Sequence, residues 1–222
     1  MNEILLGRNP EISEGTAESI RLIQKEIEKI ASEDIKEFTY QAFAEVDPKF
    51  WVNPASSTGK YHPTEDNGEG GLVRHVVKGV AVIEQFMRRA KTSPRELDIA
   101  ISAFLLHDTC KNGVVWESQY TDYTHGKIAA EWLEKFGLAD ETVKREILSA
   151  VRYHMGQWSY AVSPYEDRLY TKQEMNDNLD EISRAMHPSI IEQAVQDADY
   201  WSSRQSMSFF PGVSINIDHQ KI

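Results

Sequence analysis

The chain has a single cysteine, Cys110, among its 222 residues, so no intramolecular disulfide can form and a reducing compartment is favoured. No apolar run approaches the roughly 18 residues that would suggest a membrane span. The stretch MNEILLGRNPEISEG has no basic start followed by an apolar core. No secretory signal is therefore expected, and cytoplasmic is the default location. Positive charge is also scarce: 24 Lys and Arg stand against 35 Asp and Glu, a net charge of −11. Such a chain lacks the basic face that displaces counterions, which excludes binding duplex nucleic acid by charge alone. A small anionic substrate stays compatible if cations supply a local positive field. Internal repeats, low-complexity runs and a linker between two domains are absent too. What is present, 41% hydrophobic and 27% charged residues, suits a packed core under a solvated surface in one domain over 1–222.

Ile20, Ile23, Ile27, Ile30, Ile35 and Phe38 recur largely at spacings of three and four, predicting one or two amphipathic helices within 14–45. The texture then changes to DPKFWVNPASSTGKYHPTEDNGEGG, whose prolines and glycines predict an irregular loop over 46–71. Its aromatic and charged residues suggest that it is ordered and shapes a site. Helical periodicity resumes from Leu72 to about Lys91. Ser93, Pro94 and Glu96 open the next helix, which continues as LDIAISAFLLHD. That segment is apolar on nearly every face and is expected to be central and buried. Asp122 or Thr124 is placed to cap another helix, with Ile128, Ala129, Trp132, Leu133 and Phe136 inward and Gly137 at its end. Asp140 or Glu141 opens one more, through Tyr153. Residues 157–180 read as a partly irregular insert. A last core helix runs from Pro188 to about Arg204, and the tail 206–222 offers at most a short strand. The expected core, about 70–205, is an all-α helical bundle with long irregular loops.

Four of the seven histidines, His75, His107, His125 and His154, fall within or beside separate predicted core helices. His62 and His219 lie in loop or tail sequence, and His187 precedes a proline. A lone pair such as His107-Asp108 at the end of an apolar run is most often a locally satisfied polar pair. Four such imidazoles, joined by Asp108 and by Asp197 or Asp199 on the last helix, are hard to explain by packing. Neutral imidazole and carboxylate suit Zn, Fe, Mn and similar ions, and the set points to a shared metal site.

The order His75, His107-Asp108, His125, His154, Asp199 resembles the H…HD…H…H…D pattern of the HD superfamily. Local contexts agree: GGLVRHVVKG, FLLHDTCK, YTHGKIAAEWL, AVRYHMGQW and QDADYWSSR, over roughly residues 70–205. The resemblance implies an HD-domain-like bundle around a metal site. It implies that His75, His107, Asp108 and Asp199 hold one divalent ion, and that Asp108, His125 and His154 hold a second. The ions would be drawn from Fe, Mn, Zn, Ni, Co or Mg. Asp199 is taken as the last ligand because Ala198-Asp199 matches the family's usual Ala-Asp pair; Asp197 is the alternative.

Lys111 completes an HDxxK form. The resemblance gives Asp108 a catalytic role as the carboxylate shared by the two ions, and Lys111 one in neutralising a substrate phosphate oxygen with its ammonium; for Lys111 the plain alternative is a surface lysine. Arg204 and Lys60 are further candidates for substrate contact. The segment SSTGK fails as a phosphate-binding loop, since Pro54 stands where its first glycine belongs and Tyr61 where Ser or Thr should follow the lysine. Lys60 and His62 therefore read first as solvated loop. Cys110 reads as a small buried residue and not a nucleophile. The implied activity is hydrolysis of a phosphomonoester or phosphodiester, of a nucleotide or small phosphorylated metabolite, by metal-activated hydroxide. The same ligands resemble those of HD-type mixed-valent diiron oxygenases, which is the alternative. A non-catalytic sensor that retains the ligands is a third reading.

Overall fold

The computed structural model describes residues 13–59, 62–156 and 187–204, together with four short strands and residues 173 and 183. The fold is all-α. Its helices are α1 (Glu14–Ile27), α2 (Glu33–Phe43), α3 (Gly71–Ala90), α4 (Pro94–Leu106), α5 (His125–Leu133), α6 (Glu141–Arg152) and α7 (Ile190–Ser202). Short 3-10 turns at Pro48–Trp51 and Thr64–Asp66 interrupt the long loop. Helix starts follow the sequence signals. Ser93 and Ser189 each form a capping box, with Glu96 and Glu192, and the Asp140 carboxylate accepts from the Thr142 and Val143 amides.

Helix α4 is the centre. Every residue from Asp98 to Leu106 is buried, and the helix packs against α1, α2, α3, α6 and α7. Gly79 lets α3 press onto it, for a Cβ there would stand 2.0 Å from the Phe104 ring. The Asp98 carboxylate reaches across to accept from the Ala31 and Ser32 amides at 3.1 and 2.9 Å. It thus caps α2, whose own N-cap, Ser32, makes no side-chain capping bond. Ile20, Ile23, Ile27, Ile30, Ile35 and Phe38 join the same core, so the N-terminal helices pack on the bundle.

Two elements differ from expectation. Helix α5 stops at Leu133, short of Gly137, because the chain turns to place the Phe136 ring edge-on to Phe38 at 6.5 Å. The tail holds a hairpin, β3 (Ser206–Phe210) antiparallel to β4 (Val213–Asn216), with an irregularity between Ser208 and Phe210. Its sequence signal is the Pro211-Gly212 pair between two apolar runs. A smaller pair, β1 (Val162–Ser163) with β2 (Arg168–Leu169), falls in the segment expected to be partly irregular. Among the described residues no helix is long and apolar enough to cross a membrane.

The long loop is ordered by charge. Arg74 on α3 donates to the carbonyls of Glu65 and Glu69, and Lys78, one turn on, pairs with the buried Asp66 at 2.5 Å. Gly71 is required where α3 begins: a Cβ there would stand 1.9 Å from the Asp66 carbonyl oxygen.

Candidate metal centre

Each helix delivers its histidine at an end or on an inner face. His75 lies on the buried face of α3, His107 caps the C-terminus of α4, His125 is the first residue of α5, and His154 sits just past α6. All four are 3% exposed or less, and Asp108 is 1% exposed. Their Nε2 atoms converge. His75 and His107 approach to 3.4 Å, and both face Asp199 Oδ1, at 3.2 and 3.6 Å. His107 Nε2 is 3.4 Å from Asp108 Oδ2, and His75 Nε2 4.0 Å. On the other side of Asp108, Oδ1 faces His125 Nε2 at 3.1 Å and His154 Nε2 at 3.9 Å, and those two nitrogens are 2.9 Å apart.

Tautomers follow from what the outer ring nitrogens meet. Nδ1–H of His107, His125 and His154 donates to the carbonyls of Phe104, Asp122 and Val151, at 2.5, 2.6 and 2.7 Å. Each of these carbonyls lies three residues earlier and can only accept. His75 Nδ1 lies 3.1 Å from the Ser202 hydroxyl, which donates its own hydrogen to the Ala198 carbonyl at 2.7 Å and so accepts from the imidazole. With Nδ1 engaged outward in all four, it is the Nε2 atoms that face one another and the carboxylates. Such a set needs a cation at its middle, and backbone-fixed tautomers are how ligating histidines are oriented.

The donor set fits metal ions. Ligand atoms on a tetrahedral ion with bonds of about 2.0–2.1 Å are separated by about 3.3 Å, close to most of the distances above. His75, His107 and Asp199 form one group with ligand atoms within 4.8 Å of each other, and His107, Asp108 and His154 form a second. Asp108 Oδ1 is buried and receives no hydrogen bond. An orphaned carboxylate oxygen amid four imidazoles is a place for positive charge.

Titration tells the same story. Burial opposes charge on His107, but Asp108 and Asp199 outweigh it and push its pKa up to about 10. A proton on this imidazole does there what a cation would do. Burial pushes His154 down to about 3, helped by His125 and His107. Asp108 and Asp199 are held well below the usual carboxylate range: burial opposes this, while Lys111 and His107 for Asp108, and His107 and His75 for Asp199, prevail.

Lys111 Nζ lies 2.5 Å from Asp108 Oδ2. Asp197, two residues before Asp199 and so on the other side of α7, accepts instead from Gln193 Nε2 at 2.9 Å, and burial raises its pKa. The guanidinium of Arg204 lies 4.3 Å over the Tyr200 ring. Lys60 is outside the described residues, as is His219. Cys110 is 2% exposed, and burial pushes its thiol up to about 12, which suits a packing residue.

One residue corrects the sequence reading. His62, expected on a solvated loop, is 9% exposed, and its ring stands edge-on to His75 at 5.0 Å. Burial first, then His75 and Lys111, push its pKa down to about 2, so it is a neutral imidazole beside the cluster. The signal that could have found it is the acidic Glu65-Asp66 pair facing Arg74 and Lys78, which folds the loop onto α3.

A family model described as HD domain matches residues 72–203, more than half of the chain and the whole stretch that carries the cluster. Among curated proteins and among solved structures, nothing matches this chain.

Proposed function

Because the chain belongs to the HD domain family, whose members are generally metal-dependent hydrolases, we propose that it hydrolyses a small phosphomonoester or phosphodiester at a pair of divalent cations. His75, His107, Asp108 and Asp199 would hold one ion; Asp108, His125 and His154 would hold the other. Bound there, the cations supply Lewis acidity toward a phosphoryl oxygen and acidify a water at neutral pH. The chain's own residues do the rest. The carbonyls of Phe104, Asp122 and Val151 lock three imidazoles in place, so little reorganisation accompanies the reaction. Lys111, at the rim beside Asp108, is positioned to draw an anionic phosphoryl group to the cluster. In the net reaction the water oxygen bonds to phosphorus, the P–O ester bond breaks, and a water proton ends on the departing alcohol.

The observation that carries this reading is Asp108 itself: a buried carboxylate with imidazoles on both sides and an ammonium at its rim. The test is turnover of p-nitrophenyl phosphate, bis-p-nitrophenyl phosphate and a nucleotide panel with Mn, Mg, Ni, Co or Fe. Turnover with at least one ion is expected, together with its loss in Asp108→Ala at unchanged helical content. Failure of every combination, or activity retained in the variant, contradicts the proposal. So does a mixed-valent diiron EPR signal with substrate-dependent oxygen uptake, which would assign the site to dioxygen chemistry.

A further inference from the structure

Of the four imidazoles that converge on Asp108, three are held by backbone. His107, His125 and His154 present Nδ1 to carbonyls three residues earlier in their own segments, so ring and anchor move together. His75 is held otherwise. It lies inside α3, away from the free carbonyls of a helix end. Its Nδ1 is 3.1 Å from the hydroxyl of Ser202, the last residue of α7 and 127 positions along the chain.

That hydroxyl has one hydrogen, and α7 takes it: Oγ donates to the Ala198 carbonyl at 2.7 Å, with the Asp199 carbonyl 3.4 Å away. What Ser202 offers His75 is therefore a lone pair, which favours the ring hydrogen on Nδ1 and leaves Nε2 of the neutral ring free to ligate. Asp199, three residues before Ser202 and on the same side of α7, acts in the opposite sense. Its Oδ1 is 3.2 Å from His75 Nε2 and would accept a hydrogen there. One helix thus meets both nitrogens of the ring. The carboxylate in front draws a hydrogen to the ligand position, and the hydroxyl behind keeps it away. Ser202 is 1% exposed, which leaves water little room to stand in for it.

We propose that Ser202 is a positioning residue for the cation on the side of His75, His107 and Asp199, an inference that rests on the two-cation reading above. Its hydroxyl sets the tautomer and the plane of His75, so that an Nε2 lone pair meets the ion although Asp199 competes for a hydrogen at that atom. The other cation has no such dependence: the rings of His125 and His154 are anchored on the Asp122 and Val151 carbonyls, and neither anchor belongs to α7. The centre is therefore asymmetric. One ion meets rings that their own segments orient, and the other needs a ring oriented from a second helix. An outer partner of this kind is worth about 10- to 100-fold in metal affinity.

The experiment titrates cobalt into the metal-free full chain with optical detection, in wild type, Ser202→Ala and Ser189→Ala. Ser189 caps the other end of the same helix, about 20 Å away at 1.5 Å per residue, so its loss weakens α7 without touching His75. Ser202→Ala should weaken one affinity about 10- to 100-fold and leave the other within about twofold. In crystals grown at limiting cobalt, the anomalous peak beside His75 and Asp199 should fade while the peak beside His125 and His154 stays. Ser189→Ala should lower Tm and keep both affinities. Wild-type affinities in Ser202→Ala, an equal fall in both, or the same selective loss in Ser189→Ala overturns the proposal. NMR of the chain labelled with 15N-histidine adds a readout that lost packing alone would not move. In the metal-free protein, His75 should carry its hydrogen on Nδ1 in wild type and shift it toward Nε2 in Ser202→Ala; unchanged ring signals overturn the assignment. If Ser202→Ala does not fold, the wild-type spectrum decides: hydrogen on Nδ1 supports the role of Ser202, and hydrogen on Nε2 alone overturns it. Should wild type bind no cobalt, the two-cation reading fails by itself, and the same spectra still judge whether Ser202 sets the His75 ring.

Discussion

Gly126→Ala changes none of the six candidate ligands, yet it should break the half of the cluster that contains His125 and His154. A Cβ on residue 126 would stand 2.8 Å from the Arg152 carbonyl oxygen, 3.1 Å from His154 Nδ1 and 3.1 Å from the Val151 carbonyl oxygen. Ordinary contact begins at about 3.4 Å, so the first turn of α5 must retreat by about half an ångström from the end of α6. The Val151 carbonyl cannot turn aside without releasing His154 Nδ1, which donates to it at 2.7 Å. Overpacking of this kind costs about 1–3 kcal/mol. For a chain of this size that is a fall in Tm of roughly 2–12 °C. A shift of this length also exceeds the ~0.2 Å tolerance of metal–ligand distances, so affinity at the His125–His154 side should drop about 10- to 100-fold. The His75–His107–Asp199 side, built from α3, α4 and α7, should be spared. Metal content after desalting, followed by titration with cobalt and optical detection, separates the two sides. Gly137→Ala is the control, because nothing lies within 4 Å of its added Cβ. Wild-type affinity for both ions in Gly126→Ala would refute this account of how α5 and α6 set the site.

Further outcomes follow from the same coordinates. Asp98→Ala strips the Ala31 and Ser32 amides of their acceptor and should cost about 1–3 kcal/mol, seen as a lower Tm with unchanged metal binding. His107, with its pKa raised to about 10, is charged at pH 7 and must lose that proton to ligate. Metal affinity should therefore tighten as pH rises from 6 to 9, with proton release detectable by calorimetry in buffers of different ionisation enthalpy; pH-independent affinity contradicts this. Cys110, with its thiol pushed from 9.0 to about 12, should resist alkylation at pH 8 until the protein unfolds. Its sign is that of an acid made weaker by folding. The stability it lends is whole below pH 9 and is lost as pH climbs toward 12, which a pH series of denaturant melts would record.

What was legible in the sequence is what local chemistry dictates. Ser93-Pro94-Glu96 opens α4 as its capping pattern says, and the apolar run after it is buried on all sides. The histidines could be singled out because each falls within or beside a predicted core helix, a costly place for a polar ring unless something holds it. Their residue types pointed to a shared site, but which ligands go together on each ion was legible only through the resemblance, since spacing along a chain does not fix which helix ends meet. Asp98 shows the limit clearly. It looks like one more acid near the start of a helix, and its work is done on α2, more than sixty residues away. His62 was misread for the same reason: a loop of turn residues looks solvated until Arg74 and Lys78 fold it onto α3. Gly126 carries no signal in isolation either, as its need for a bare backbone arises only where α5 meets α6.

The central claim is that imidazoles and carboxylates from five separate helices share cations around Asp108. Anomalous diffraction at the metal edge, from crystals of the chain grown with manganese or iron, tests it most directly. The account predicts two peaks, one bounded by His75, His107, Asp108 and Asp199 and the other by Asp108, His125 and His154, with both gone in Asp108→Ala. Absence of a peak at Asp108, or ions bound only elsewhere on the acidic surface, would contradict it.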